Sequence, residues 1–208
     1  MTPINPGAVE WSGENPGIYL RDPARPQLAW GTLALFFRIV ISPHGSGRAM
    51  LLLGRPDEAD GYPAVPNLCV SDNLAMARYL TGEFVGRFAA FRGMPGLSAF
   101  SFHDLTGCTT SSDGTSIHQE TVRAGGIELT MEWRGLQAPF AADVPPALSA
   151  TGSHQMYSVF RGAATGRVLL NGTALPGEVV ERDFLGGRLS SAFLAFAESW
   201  IRPHEEAR

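Results

Sequence analysis

Residues 116–135, SIHQETVRAGGIELTMEWRG, divide around Gly125-Gly126 into two runs of alternating character. Two glycines between such runs supply the positive φ angles of a two-residue hairpin turn. The turn sets a register, with Arg123 opposite Glu128, Thr121 opposite Thr130 and Gln119 opposite Glu132 on a polar face. The other face pairs Val122 with Leu129, Glu120 with Met131 and His118 with Trp133. Glu120 and His118 are thereby directed among apolar side chains. A three-residue turn would reverse that parity.

Upstream, residues 31–41 (GTLALFFRIVI) are apolar on both parities. Leu33, Leu35, Phe37, Ile39 and Ile41 face one way, and Ala34, Phe36, Arg38 and Val40 the other. A strand apolar on both faces is covered on both sides. Pro43, Gly45 and Gly47 make a turn, and residues 48–54 return as its partner. One short helix is expected, capped by Ser71 or Asp72, carried by residues 74–80 with Leu74, Ala77 and Leu80 buried, and ended by Gly82. Residues 1–29, rich in Pro, Gly and Asn, read as an irregular arm over a single β-rich domain, residues 30–208. Strands resume at 154–161 and 167–170, and Asn171-Gly172 marks another turn. Residues 189–201 carry Phe193, Phe196, Ala197 and Trp200 at helical spacing, whereas the surrounding β pattern favours a strand.

Composition agrees with this reading. With 24 Gly, 15 Pro and 17% charged residues, the chain favours short strands and tight turns over a helical bundle. The fold class is mainly β, α+β at most. A net charge of −4 without a basic run gives no reason to expect a nucleic-acid partner. No apolar run is long enough to span a bilayer, and the start lacks a signal-peptide pattern. Cys69 and Cys108 then read as free thiols in a reducing cytoplasm. All sixteen residues of the Lys+Arg count are arginine. Arginine keeps its proton near neutral pH, so Schiff-base chemistry, pyridoxal attachment and lysine-based phosphate binding are all excluded.

In order along the chain, Asp60-Gly61-Tyr62, Asp72-Asn73 leading into Leu74-Ala75-Met76-Ala77, Gly82-Glu83 and the Arg123–Leu129 hairpin resemble the acetoacetate decarboxylase-like family over residues 30–135. The resemblance implies a β-cone or barrel with one or two short helices around a small-molecule cavity, assembled as a homo-oligomer. It also implies keto-acid chemistry of the decarboxylase, aldolase-dehydratase or cyclase kind. The departures fall on the chemistry. Phe84-Val85-Gly86-Arg87 stands where the family has Pro-Lys-Lys, and Arg38 where it has a strand carboxylate.

Arg38, inside an apolar run, requires a carboxylate, a carbonyl cluster or a ligand. It is read either as a structural ion pair with Glu120 or as the group that holds a substrate oxygen. Glu120 and His118 are the candidate catalytic acid and base. Arg48, Trp133 and Met131 are candidate substrate-binding residues. His103, Asp104, Asp113 and His154 carry no metal-ligand spacing, so no metal or cofactor is expected. Two functions follow from these residues. One is a lysine-independent lyase, dehydratase or cyclase acting on a largely apolar carbonyl or carboxylate substrate. The other is a calycin-like carrier or sensor whose Arg38–Glu120 pair is structural.

Overall fold

A strand with two apolar faces must be covered twice, and in the computed structural model the strand at Thr32–Ile41 separates two distinct cores. Residues 7–57 and 67–204 are described. The strands are β1 (Gly7–Glu14), β2 (Gly17–Leu20), β3 (Thr32–Ile41), β4 (Gly47–Leu53) and β5 (Asn67–Ser71), followed by helix α1 (Leu74–Glu83). Then come β6 (Ser101–Asp104), β7 (Gly107–Ser112), β8 (Ile117–Ala124), β9 (Ile127–Leu136), β10 (Phe140–Val144) and β11 (Gln155–Leu170). The last are β12 (Thr173–Ala174), β13 (Glu181–Phe184), β14 (Gly187–Ser190) and β15 (Ala192–Pro203). The fold is mainly β.

One sheet runs in the order β6-β5-β4-β3-β1-β15-β11-β9-β8-β7, with β2, β10 and β12 paired alongside it and β13–β14 forming a separate hairpin. Its two ends approach each other. Residues 105–106 pass directly from β6 to β7, and their amides donate to the carbonyls of Ser71 on β5 (2.9 Å) and Arg123 on β8 (2.7 Å). Ala34 and Phe36 of β3 therefore share one inner core with Val70 of β5, Val122 of β8, Met131 of β9 and Leu194 of β15. Leu33, Leu35 and Phe37 face the outer core, covered by Met76, Ala77 and Leu80 of α1 and by Phe84 and Phe91 beyond it. The expected parity of β3 is present, except that Val40 and Ile41 at its end are exposed.

The β8–β9 hairpin has the register read from residues 116–135, including Glu120 opposite Met131 and His118 opposite Trp133. Asn171 (φ 50°) and Gly172 (φ 77°) form the expected tight turn. In α1 the cap is Asn73, whose side chain accepts from the Met76 amide at 3.0 Å, and Met76 rather than Leu74 joins Ala77 and Leu80 in the core. Gly82 lies within the helix instead of ending it.

The irregular arm is corrected for residues 7–20. β1 lies between β3 and β15 in the sheet, and β2 pairs with both of those strands. An extra residue between Val9 and Trp11 breaks the period of β1 against β15, so its strand pattern is absent from the sequence. The two short strands expected at 154–161 and 167–170 are one, β11, which pairs with β15 through Gly162 and with β9 from Ala163 onward. Residues 192–203 are strand. Their helical spacing arises from a bulge, since two steps on β11 (Tyr157 to Val159) oppose three on β15 (Ser199 to Phe196), with Ala197 at φ 50°. Asp60-Gly61-Tyr62 lies outside the described residues. Among those described, no helix is long and apolar enough to cross a membrane.

Gly13 marks the closest approach of β1 to β3, where a Cβ would collide with the Arg38 carbonyl and the Ile39 Cα, both backbone. Gly13→Ala should lower unfolding stability in urea by about 3 kcal/mol. Gly82→Ala, whose Cβ meets nothing within 4 Å in a helix, should raise it by up to about 1 kcal/mol.

Candidate functional site

The β3 register directs Arg38 to the inner side of the sheet near its end, where β1, β7 and β8 converge. One Nη of Arg38 bonds Glu14 of β1, and the other donates to Glu120 of β8 and Thr110 of β7, both at 2.8 Å. Glu120 is completely buried. Its Oε1 accepts from Arg38 and lies 3.1 Å from His118 Nε2, while its Oε2 accepts from Thr110 at 2.7 Å. A carboxylate only accepts, so the His118 tautomer that fits carries its proton on Nε2. The His118 ring packs on Trp133 (5.6 Å between centroids) and Phe196 (6.4 Å). Glu14 and Thr110 were given no role from the sequence, because Glu14 comes opposite Arg38 and Thr110 opposite Glu120 only through sheet pairing.

Arg38, Glu120 and His118 are thus brought together in one network, and the other candidates stand apart. Arg48 lies 3.5 Å from Asp72 and shares with Arg38, Cys108 and Thr110 the wall of an open depression of about 520 Å³. Met131 and Trp133 are fully buried in the inner core, with Trp133 Nε1 donating to the Gly17 carbonyl at 3.1 Å, so neither meets that depression. Every oxygen of Glu120 has a protein partner, and Arg38 is divided between two carboxylates. The network therefore offers a ligand no free carboxylate, and the Arg38 charge is already met, although its exposed edge lines the depression. Chemically it ties β1, β3, β7 and β8 together across the inner face.

The bulge in β15 creates a different site. Before it, Phe193 and Ala195 face the outer core; after it the parity is switched, and Glu198 and Trp200 face that side instead. A carboxyl is thereby directed into an aromatic cavity of about 340 Å³ walled by Tyr19, Phe88, Phe160, Phe184, Phe193 and Trp200. Glu198 is 3% exposed. Burial pushes its carboxyl up to about 7, against bonds donated by Trp200 Nε1 (2.7 Å) and Asn15 Nδ2 (3.2 Å). Burial likewise pushes the Tyr19 phenol up to about 12.

Arg182, inward-facing on the β13–β14 hairpin, shares this cavity. Its guanidinium lies 4.9–5.3 Å from the ring centroids of Phe184, Phe193 and Tyr19 and is drawn below its usual pKa by burial. Glu198 had a signal in the sequence, a lone acid inside the apolar run of residues 192–201, as Arg38 has in its own run. The helical spacing of Phe193, Phe196, Ala197 and Trp200 competes there with the β context that favours a strand, so the face on which Glu198 lies does not follow from the pattern.

His154 and Glu10 flank a third, polar recess with Tyr79 and Arg202. Cys69 and Cys108 are free thiols, and burial raises both. Among the described residues no three His, Cys, Asp or Glu side chains cluster as metal ligands. Comparison with family models, with curated proteins and with solved structures found no match to this chain.

Arg38→Met leaves Glu120 buried without its counter-charge and should cost about 3 kcal/mol or more in chemical denaturation. Adding Glu120→Gln should restore at least half of that loss; an additive double variant would exclude the clamp.

Glu198 carries the opposite sign from a salt-bridged acid. Its folded pKa lies above the unfolded value, so the native state holds the extra proton between about pH 4.5 and 7. Its contribution is therefore most favourable in acid and falls as pH rises through 7. The lowered pKa of His154 acts in the reverse sense below 6.5 and is common to both proteins compared. Glu198→Gln should gain stability over wild type as pH rises from 5 to 8, by about 3 kcal/mol at the upper end, in urea melts at each pH.

Proposed function

We propose that this chain is a lysine-independent small-molecule enzyme, and that its chemistry is proton transfer on a carbonyl compound bound in the Glu198 cavity. One observation carries the reading: a carboxyl poised near neutrality on the wall of an aromatic cavity, with an uncompensated guanidinium in the same space. Carboxyls serve best as acid and base when their pKa lies near the working pH. An apolar pocket with a few convergent polar groups and a perturbed carboxyl is the arrangement in which small-molecule chemistry is usually found. With no lysine in the chain, no side chain in the cavity can form an imine, and the reaction is of the lyase, dehydratase or cyclase type and runs through an enol or enolate. Glu198 takes the proton from the carbon next to the carbonyl and returns it later, while Arg182 holds the oxygen on which charge develops.

The scaffold belongs to the same proposal: a β-cone or barrel of the acetoacetate decarboxylase-like kind. In its support are the approach of the sheet's two ends, the single helix after β5 and the 116–135 hairpin. The cavity it uses lies outside the packed ring, because the inner face is filled by Phe36, Met131 and Trp133. A non-catalytic carrier is favoured by one observation, the exposed Leu148 and Leu185 among the residues lining the cavity, which suit capture of an apolar ligand.

The two readings separate by isotope exchange. In D₂O, wild type should exchange the α-protons of a panel of small β-keto acids and enones, followed by proton NMR. The rate should rise with pH to a plateau above about 7 and fall about 100-fold or more in Glu198→Gln. Glu120→Gln should retain it. Binding without exchange would leave a carrier.

A further inference from the structure

Arg182 is the charged group whose surroundings are unfinished. Its Nε is buried and has no acceptor, and the residue makes no ion pair among the described residues. Alternation along β13 explains why: Arg182 and Phe184 turn inward, while Asp183 between them is exposed and pairs with Arg188 at 3.4 Å. The three rings around the guanidinium interact with its charge through their faces, but a ring face does not replace an in-plane acceptor for N–H. A half-buried cation with one N–H left in this state is costly, and a bound anion lowers the cost.

Asn15 is unfinished in the complementary sense. Its amide nitrogen donates to Glu198, whereas its Oδ1 is buried and has no donor. Both residues line the cavity, and each keeps in its wall a buried atom without a partner, a donor on Arg182 and an acceptor on Asn15. The walls are rich in aromatic rings packed edge to face, with Phe160 and Phe184 at 4.8 Å and 72° and Tyr19 and Phe193 at 5.4 Å and 81°. An aromatic wall suits a flat conjugated body better than a flexible chain. A volume of about 340 Å³ is at the small end for ligand sites, enough for a one- or two-ring acid. Two arginines line the cavity, but Arg92 is exposed and donates to the carbonyls of Arg87 and Ala150. Arg182 is therefore the enclosed cation that a ligand's charge would meet, and a carboxylate matches the guanidinium edge.

We infer that the cavity selects a flat, aromatic or conjugated monocarboxylate carrying a hydroxyl or enol. Its carboxylate accepts from Arg182 Nε, and its hydroxyl donates to Asn15 Oδ1. This rests on the reading of the cavity as the functional site, and it narrows the substrate from carbonyl compounds in general to conjugated acids.

The test titrates the full chain at pH 6, where Glu198 keeps its proton, with 4-hydroxycinnamate, its primary amide, cinnamate and octanoate, with affinities measured by calorimetry. The hydroxy acid should bind at least tenfold more tightly than its amide and more tightly than octanoate or cinnamate. In Arg182→Met the preference for acid over amide should vanish while amide affinity persists. The Nε–H resonance of Arg182 in ¹⁵N-resolved NMR should shift with the acid alone, a readout on wild type that does not depend on the variant folding. Equal binding of acid and amide, no binding by either, or an acid preference that survives Arg182→Met overturns the inference. Octanoate binding as well as the hydroxy acid overturns the conjugated body. Arg182-dependent acid binding without Glu198-dependent exchange upholds the ligand class and removes the chemistry. Exchange without acid preference does the reverse.

Discussion

Everything in this molecule depends on β3 being apolar on both faces. A strand of that kind cannot lie at a solvent surface, so the sheet must supply cover on each side. On the inner side the sheet covers itself, as its ends are brought together by residues 105–106 and Phe36 meets side chains from strands far away in sheet order. On the outer side the cover comes from α1, the turns after it and the aromatic side chains of β1, β11 and β15. Trp11 illustrates the result, packed edge-on to Phe37 at 5.8 Å and stacked with Trp200 at 6.1 Å.

The two sides then take different chemical roles. The inner face is dense, and its one charged network is saturated: Arg38 stands between Glu14 and Glu120, with Thr110 and His118 completing the carboxylate's bonds. A network in which each charge is met contributes order among strands and has little left for a ligand. The outer face is covered by loops and a separate hairpin and is less completely filled. There the polar groups of the aromatic cavity are not saturated. Glu198 is desolvated without a counter-charge, and Arg182 and Asn15 each retain a buried atom with no partner. Incomplete satisfaction in a cavity is what distinguishes a place for a ligand from a structural ion pair.

Much of this was legible in the residues alone. The β8–β9 register followed from two glycines and the matching of Arg123 with Glu128 and Thr121 with Thr130, because a two-residue turn leaves one register only. The two-sided burial of β3 followed from its composition. The Arg38–Glu120 contact was one of the two readings open to Arg38, since each is an isolated charge on an apolar face. β1 and the continuity of β11 were not legible, and β15 was legible only through its β context, against a helical spacing. β1 and β15 each contain a bulge, and one inserted residue destroys the period by which a strand is recognised.

The sequence by itself determined the mainly-β class, the central strand, the hairpin and its register, and the absence of any side-chain amine capable of forming an imine. These are local or compositional properties, fixed by side-chain type and by spacing of a few residues. Only the tertiary structure decided which lone charge would be paired and which would be left facing a cavity. Arg38 meets Glu120 across 82 residues of sequence, and Arg182 reaches Glu198 only through a shared cavity. The bulge at Ala197 turns Glu198 to the outer side, and a bulge is set by pairing with a partner strand. Its position is therefore a property of the assembled sheet, which the residues of β15 do not encode on their own.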